Sequence, residues 1–220
     1  MSDDDGQIER GTPGASARRE HERRRAKREQ RVRERYPRLG TVVLALSNEP
    51  THETAWARGA AGEEQVAQAL ATHLADGAVV LHDRRIPRSR ANIDHIVIAR
   101  SGVWVIDSKR YVGKVAVRKP LFGDERLTIA GRDKTALVEG LATQASLVEA
   151  VVHETAPEVP VRGALCFVEA DLPLIGTLRC KGYPLVYPRA LAKGINAGGT
   201  LGDDLVRALA GELATRFPVA

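Results

Sequence analysis

Two acids facing each other across an apolar hairpin constrain this chain more than any other feature. The run Asn92-Ile93-Asp94-His95-Ile96-Val97-Ile98-Ala99 passes through Arg100-Ser101-Gly102 and returns as Val103-Trp104-Val105-Ile106-Asp107-Ser108-Lys109. Both arms are rich in Val and Ile, and a glycine at the corner suits a tight reversal. Side chains alternate along a strand, so Asp94 shares a face with Ile96 and Ile98, and Asp107 shares one with Lys109. Folding about residues 100–102 sets Asp94 nearly opposite Asp107, with Cβ atoms roughly 4.5–5.5 Å apart. Like charges so placed repel unless something is held between them. A hard divalent cation such as Mg²⁺ is the simplest candidate, because it takes oxygen ligands and leaves room for water and phosphate.

The chain has 220 residues, enough for one domain with a sizeable core plus a tail. Its net charge of +5 is unevenly spread: residues 1–17 carry −3, residues 18–38 carry +7 (eleven Lys or Arg against four Glu), and the remainder is near +1. The basic character therefore belongs to the N-terminal tail. Residues 1–16 read as disordered, and 17–36 as a charged arm that is disordered or helical and lacks an apolar stripe for docking on a core. Three parts are expected: a flexible tail over 1–40, a connecting segment over 41–58 and a folded domain over 59–220.

Within that domain, helical spacing appears at 59–75, 134–154 and 202–216, and the crossover pattern 134–154 includes Leu137, Leu141, Gln144, Ala145, Val148 and Val152. Strand-like runs cover 78–82, the two hairpin arms, 113–117, 126–129, 161–168 and 185–187, with a basic loop over 84–90. A strand meander followed by a helical crossover to one more strand predicts an α/β fold, a mixed sheet flanked by helices. Cys166 and Cys180 are the two cysteines, with no C-x-x-C pair and no clustered histidines, which argues against structural zinc. Cys166 reads as a small buried hydrophobe, and a disulfide between the two stays open. No apolar run approaches a membrane span and no secretory leader is evident, so a cytoplasmic protein without a membrane partner is expected.

The string Asp94, then twelve residues, then Asp107-Ser108-Lys109 resembles the D…(D/E)-x-K core of the PD-(D/E)XK nuclease superfamily. More narrowly, the chain is similar to the NERD (nuclease-related domain) family. The matching parts are Gly59-Ala60-Ala61-Gly62-Glu63 at a helix start, Ile93-Asp94-His95, Gly102 to Lys109, Tyr111-Val112-Gly113-Lys114, and Gln144 on the crossover helix. Ile93 stands where the superfamily has its eponymous proline, which suits the narrower family. Asp107 stands where Glu is commoner, so its carboxylate is drawn in by a methylene.

The resemblance implies a restriction-endonuclease-like fold and metal-dependent hydrolysis of nucleic acid, with DNA the expected substrate and Mg²⁺ or Mn²⁺ the cofactor. It implies that Asp94, Asp107 and Glu63 hold the metal, that Lys109 orients the attacking water or offsets transition-state charge, and that Gln144 steadies Lys109 or a water. Glu63 also has an ordinary reading, an acid favouring a helix N-terminus. His95 faces away from Asp94 and reads as a packed histidine outside the site. Arg84, Arg85, Arg88 and Arg90 before the hairpin, and Arg110, Lys114, Arg118 and Lys119 after it, could line a path for a phosphate backbone. The rival reading is a non-catalytic module that keeps the nuclease fold and binds nucleic acid or protein. The oligomeric state is left open.

Overall fold

The computed structural model describes residues 8–35, 51–120, 123–173 and 176–220. In chain order the elements are α1 (Ala15–Arg35), α2 (Thr51–His73), β1 (Val79–Arg85), β2 (Asn92–Ala99), β3 (Gly102–Arg118), β4 (Arg126–Ile129), β5 (Arg132–Asp133), α3 (Thr135–Thr155), β6 (Val161–Asp171), β7 (Leu178–Cys180), β8 (Tyr183–Val186), α4 (Pro188–Asn196) and α5 (Asp203–Arg216). The main sheet runs β1-β2-β3-β6-β8-β7, with β4 and β5 branching from the far end of β3. β1, β2 and β3 form an antiparallel meander, and α3 crosses over to bring β6 parallel to β3. This is the mixed sheet flanked by helices that the pattern predicts, consistent with a restriction-endonuclease-like fold.

Strand alternation divides the core into two layers. Ile96, Ile98, Val103, Val105, Leu165 and Phe167 face α3 and α5, where they meet Leu141, Val148, Val206 and Leu209. Val97, Ile106, Ala164 and Cys166 face the opposite way, against Val66 and Leu70 of α2 and Leu191 and Ile195 of α4. The hairpin corner is wedged against the α3–β6 connection: Val103 N donates to Pro160 O, and a Cβ on Gly102 (φ 122°) would lie 2.4 Å from that oxygen. Only glycine tolerates both conditions there.

The helix and strand expectations hold, with differences in detail. The expected strands over 103–109 and 113–117 are one 17-residue strand, because β6 and β4 pair with successive stretches of it and support its whole length. The three-residue strand β7 and the nine-residue helix α4 are too short to stand out in a sequence reading, although Leu191, Ala192 and Ile195 fall on one face of α4. Cys166 and Cys180 are both buried free thiols. Helix α3, at 21 residues, has the length and hydropathy of a membrane span, yet its Val138–Val152 stripe lies on the sheet. Of the connecting segment, 41–50 lies outside the described residues and 51–58 begins α2.

The N-terminal arm departs most from expectation. Of the stretch read as disordered, residues 8–16 are described, and they pack on the domain through polar contacts whose partners are distant in sequence. Ser16 N and Oγ donate to the Asp83 carboxylate (both 2.6 Å), Gly14 N donates to Glu63 Oε2 (2.9 Å), and His82 N donates to Arg10 O (2.6 Å). α1 has no acid in its own first turn, so Asp83 and Glu63 supply the negative charge that its N-terminus favours. No apolar stripe is needed for docking of this kind.

Asp83 also breaks the strand pattern of β1. Its φ of 49° reverses the alternation, so that Leu81 faces the α3–α5 layer and Arg84 does too. Arg84 is therefore no part of a nucleic-acid path. It is 1% exposed and donates to the carbonyls of Phe217 (2.6 Å), Glu9 (2.8 Å) and Ala214 (2.8 Å). On the outer side of β1, Arg85 N donates to Pro218 O and Ala220 N donates to Asp83 O.

Two expectations follow. Arg84→Ala leaves three carbonyls short of a donor inside the fold and should destabilise by about 3–5 kcal/mol in urea unfolding, while exposed Arg88→Ala stays near wild type. His82 and His95 are register partners whose Nδ1 atoms lie 2.9 Å apart, and His95 Nε2 shares a 3.0 Å hydrogen bond with Ser108 Oγ. Burial pushes their pKa values down to about 4 and about 3, with Arg10 and Arg84 also acting on His82, and His82 on His95. Both should stay neutral between pH 8 and 5 in an NMR titration. Because the unfolded rings protonate near 6.5 and the folded ones do not, this pair withdraws stability as pH falls from about 6.5 toward 4.

Candidate functional site

The β2–β3 ladder runs from Ala99↔Gly102 to His95↔Ile106, and the next step of that register sets Asp94 beside Asp107, as the alternation requires. Ser108 N donates to Asp94 Oδ2 (2.7 Å) and fixes that carboxylate. Lys109 Nζ donates to Asp107 Oδ1 and to the Ser108 carbonyl (3.2 Å). At the end of the apolar ladder Asp107 is buried, 7% exposed, while Asp94 and Lys109 are half-buried and face a cavity.

Glu63 arrives from the other layer. Gly62 lets α2 close on β3: a Cβ there would be 3.1 Å from Arg110 Cβ, tighter than ordinary packing. That approach brings Glu63 to the rim of a cavity of about 760 Å³ whose walls also include Asp94, Ser108 and Lys109, with Ala17 of α1 on the near side. The structure thus gathers Glu63, Asp94, Asp107 and Lys109.

The charges here are unbalanced. Burial raises the Asp94 carboxyl well above the ordinary range, and the neighbouring Asp107 raises it further. Glu63 is pushed up to about 7, first by burial and then by the charge of Asp83, against the opposing Gly14 hydrogen bond and Lys109. Burial works against the Lys109 ammonium, yet Asp107 and Asp94 outweigh it and hold the group above the usual lysine range. Lys109 is therefore a fixed cation near neutral pH, not a proton acceptor.

These donors fit a hard divalent cation. All are carboxylate or carbonyl oxygens, and they carry more negative charge than one ammonium offsets. Among the described residues no group of three His, Cys, Asp or Glu forms a ready-made cage. An ion of the Mg²⁺ type, which rests on one or two carboxylates and keeps water and phosphate as further ligands, needs none.

The remaining expected site residues are placed differently. Gln144 donates to the Asn92 carbonyl (3.3 Å) and not to Lys109, while its buried Oε1 has no partner. It braces the start of β2, two residues from Asp94. Arg110 lines the acidic cavity but is tied by Nε and Nη2 to Glu169 (2.9 and 2.6 Å). Arg85, Arg88, Arg90 and Lys114 are exposed, and Lys119 pairs with Glu125.

Sequence reasoning missed Asp83, which lies in the β1–β2 register opposite Asp94, anchors α1 and acts on Glu63. The one signal for it was an acid inside the apolar run Val79-Val80-Leu81-His82-Asp83.

A family model for the nuclease-related domain (NERD) matches residues 58–168, just over half of the chain, and so takes in most of α2, the meander, α3 and most of β6. No curated protein and no solved structure matches. With the acids and the lysine on strands inside the matched stretch, the chain belongs to the nuclease-related domain family.

Proposed function

We propose that this protein hydrolyses phosphodiester bonds of nucleic acid, with DNA the substrate and a divalent cation, Mg²⁺ or Mn²⁺, the cofactor. The observation that carries this reading is that Asp94 and Lys109 line a cavity of about 760 Å³ together with Glu63, with Asp107 behind them as the register neighbour of Asp94 and the partner of Lys109. A bare pair of buried acids is poorly placed for stability and well placed to receive a cation and an anionic substrate.

Asp94 and Asp107 would hold the ion, and Glu63, on the wall of the same cavity as Asp94, would act on it through water. When bound, it supplies charge that polarises the phosphate and makes a water more acidic. The chain does the rest. Ser108 N–H keeps Asp94 in one orientation. Lys109 presents a permanent positive charge at the cavity wall, where it aligns a water by hydrogen bonding and offsets charge that builds on the phosphate oxygens. The water oxygen joins phosphorus as the bridging P–O bond breaks, leaving a phosphate monoester on one end and a hydroxyl on the other. Glu63, pushed up to about 7, changes charge in the range where such a site works.

Asp107→Ala and Lys109→Ala should each lower cleavage of plasmid or linear DNA by about 10²–10⁴-fold in Mg²⁺ or Mn²⁺, with EDTA abolishing it. The measurement is gel-based cleavage beside thermal melts that confirm folding. Full activity in Asp107→Ala would remove the reading, and binding without cleavage by the wild type would favour a non-catalytic module. Cation binding requires the ionised acids, and Glu63 and Asp94 are both held toward their protonated forms. Affinity for Mn²⁺, followed by calorimetry, should therefore rise with pH through about 7 and release protons. In Glu63→Gln the rise near 7 should flatten.

A further inference from the structure

We infer that the cleft between α1 and the β1–β2 loop is a built track for the phosphate backbone of nucleic acid, continuous with the acidic cavity. It deepens the nuclease reading, on which the identity of the adjoining cavity rests. Arg19, Arg23 and Arg24 of α1 stand with Arg85 and Arg90 around one cavity of about 630 Å³; Glu20 accepts from Arg23 (2.8 and 2.9 Å) and Arg24 (2.5 Å), and Arg19 donates to Ala220 O, so five guanidinium groups face one side-chain carboxylate there. Arginine suits this place because its planar fork engages phosphate oxygens in pairs and stays charged.

The track joins the acids along two walls. Ser16 lines the basic cleft and Ala17, the next residue, lines the acidic cavity. On β2, Asn92 lines the cleft and Asp94, two residues on, lines the cavity. A strand with one phosphodiester at Asp94 and Asp107 is thereby directed, with its flanking phosphates, toward the arginines. A concave cleft with cations on both sides suits a chain-like polyanion better than a flat anionic surface.

The arm is also fitted, not merely attracted. Gly14 takes φ 66°, and a Cβ on it would sit 3.0–3.1 Å from Ala60. Asp83 ties the two walls together by accepting from Ser16 on α1 and from Asn92 Nδ2 (3.2 Å) on β2. A loose basic tail would need neither arrangement.

The test is fluorescence anisotropy of the full chain with a short labelled duplex in EDTA over a KCl series. Arg23→Ala with Arg90→Ala is expected to weaken binding about 10–100-fold and to flatten the salt dependence by about one unit per arginine. Arg179→Ala, on the far sheet edge, serves as the comparison. Gly14→Val keeps every charge, and is expected to expose α1 to protease and to weaken binding in the same direction. Three results would overturn the inference. One is Arg23/Arg90 binding no weaker than Arg179→Ala. Another is a Gly14→Val protein with α1 released and affinity unchanged, which marks a free polycationic tail. The third is arginine-dependent binding to phosphatidylserine vesicles with none to the duplex. If Gly14→Val leaves α1 protected, the arginine pair decides. Because binding is read without turnover, a wild type that binds through this cleft but never cuts overturns the nuclease reading and leaves the track standing.

Discussion

Repulsion between Asp94 and Asp107 is the constraint to which the surrounding structure answers. Two carboxylates a few ångströms apart in a partly dry cleft disfavour each other strongly, because the interior screens charge poorly. The apolar ladder behind them, Ile96 against Val105 and Ile98 against Val103, holds their backbones in register regardless. Lys109 and the Ser108 N–H offset part of the charge, and burial together with Asp107 holds the Asp94 carboxyl above its ordinary range. The apolar core thus maintains an arrangement that the acids alone would not adopt, which is how many reactive sites are sustained.

The same balance explains why α2 and α1 end where they do. Glu63 adds a third carboxylate close to the pair, and Asp83 a fourth close to Glu63. Glu63 and the fully buried Asp83 are satisfied by the start of α1, through Gly14 and Ser16. Helix N-terminus and acid cluster meet as complementary charges, so a segment that looks like a solvated tail becomes a wall of the site.

The hairpin, its turn, the shared faces of its arms and the three main helices were legible because each follows a short-range rule of alternation or helical spacing. The Asp94, Asp107 and Lys109 grouping followed from the same rules, and Glu63 from the resemblance. What escaped depends on contacts far apart in sequence or on a single backbone angle. Arg84 looked like one more loop cation, but the left-handed turn at Asp83 swings it inward to three carbonyls. Gln144 lies on the expected helix, yet its amide donates to the Asn92 carbonyl and not to Lys109, a choice of partner that no pattern encodes. The docking of residues 9–16 depends on Asp83 and on the carbonyl of Arg10, neither of which looks like an anchor in a linear reading.

Both flanking segments also meet along β1. Arg10 on one side of the sequence and Pro218 to Ala220 on the other engage the backbone of His82, Asp83 and Arg85. β1 is the outermost strand of the meander, so its outward N–H and C=O groups form an edge that another chain could extend by strand addition. Covering that edge with irregular segments from both directions caps the sheet without adding a further exposed strand. Releasing the arm alone frees the His82 N–H of that border, while Pro218 to Ala220 stay on Asp83 and Arg85.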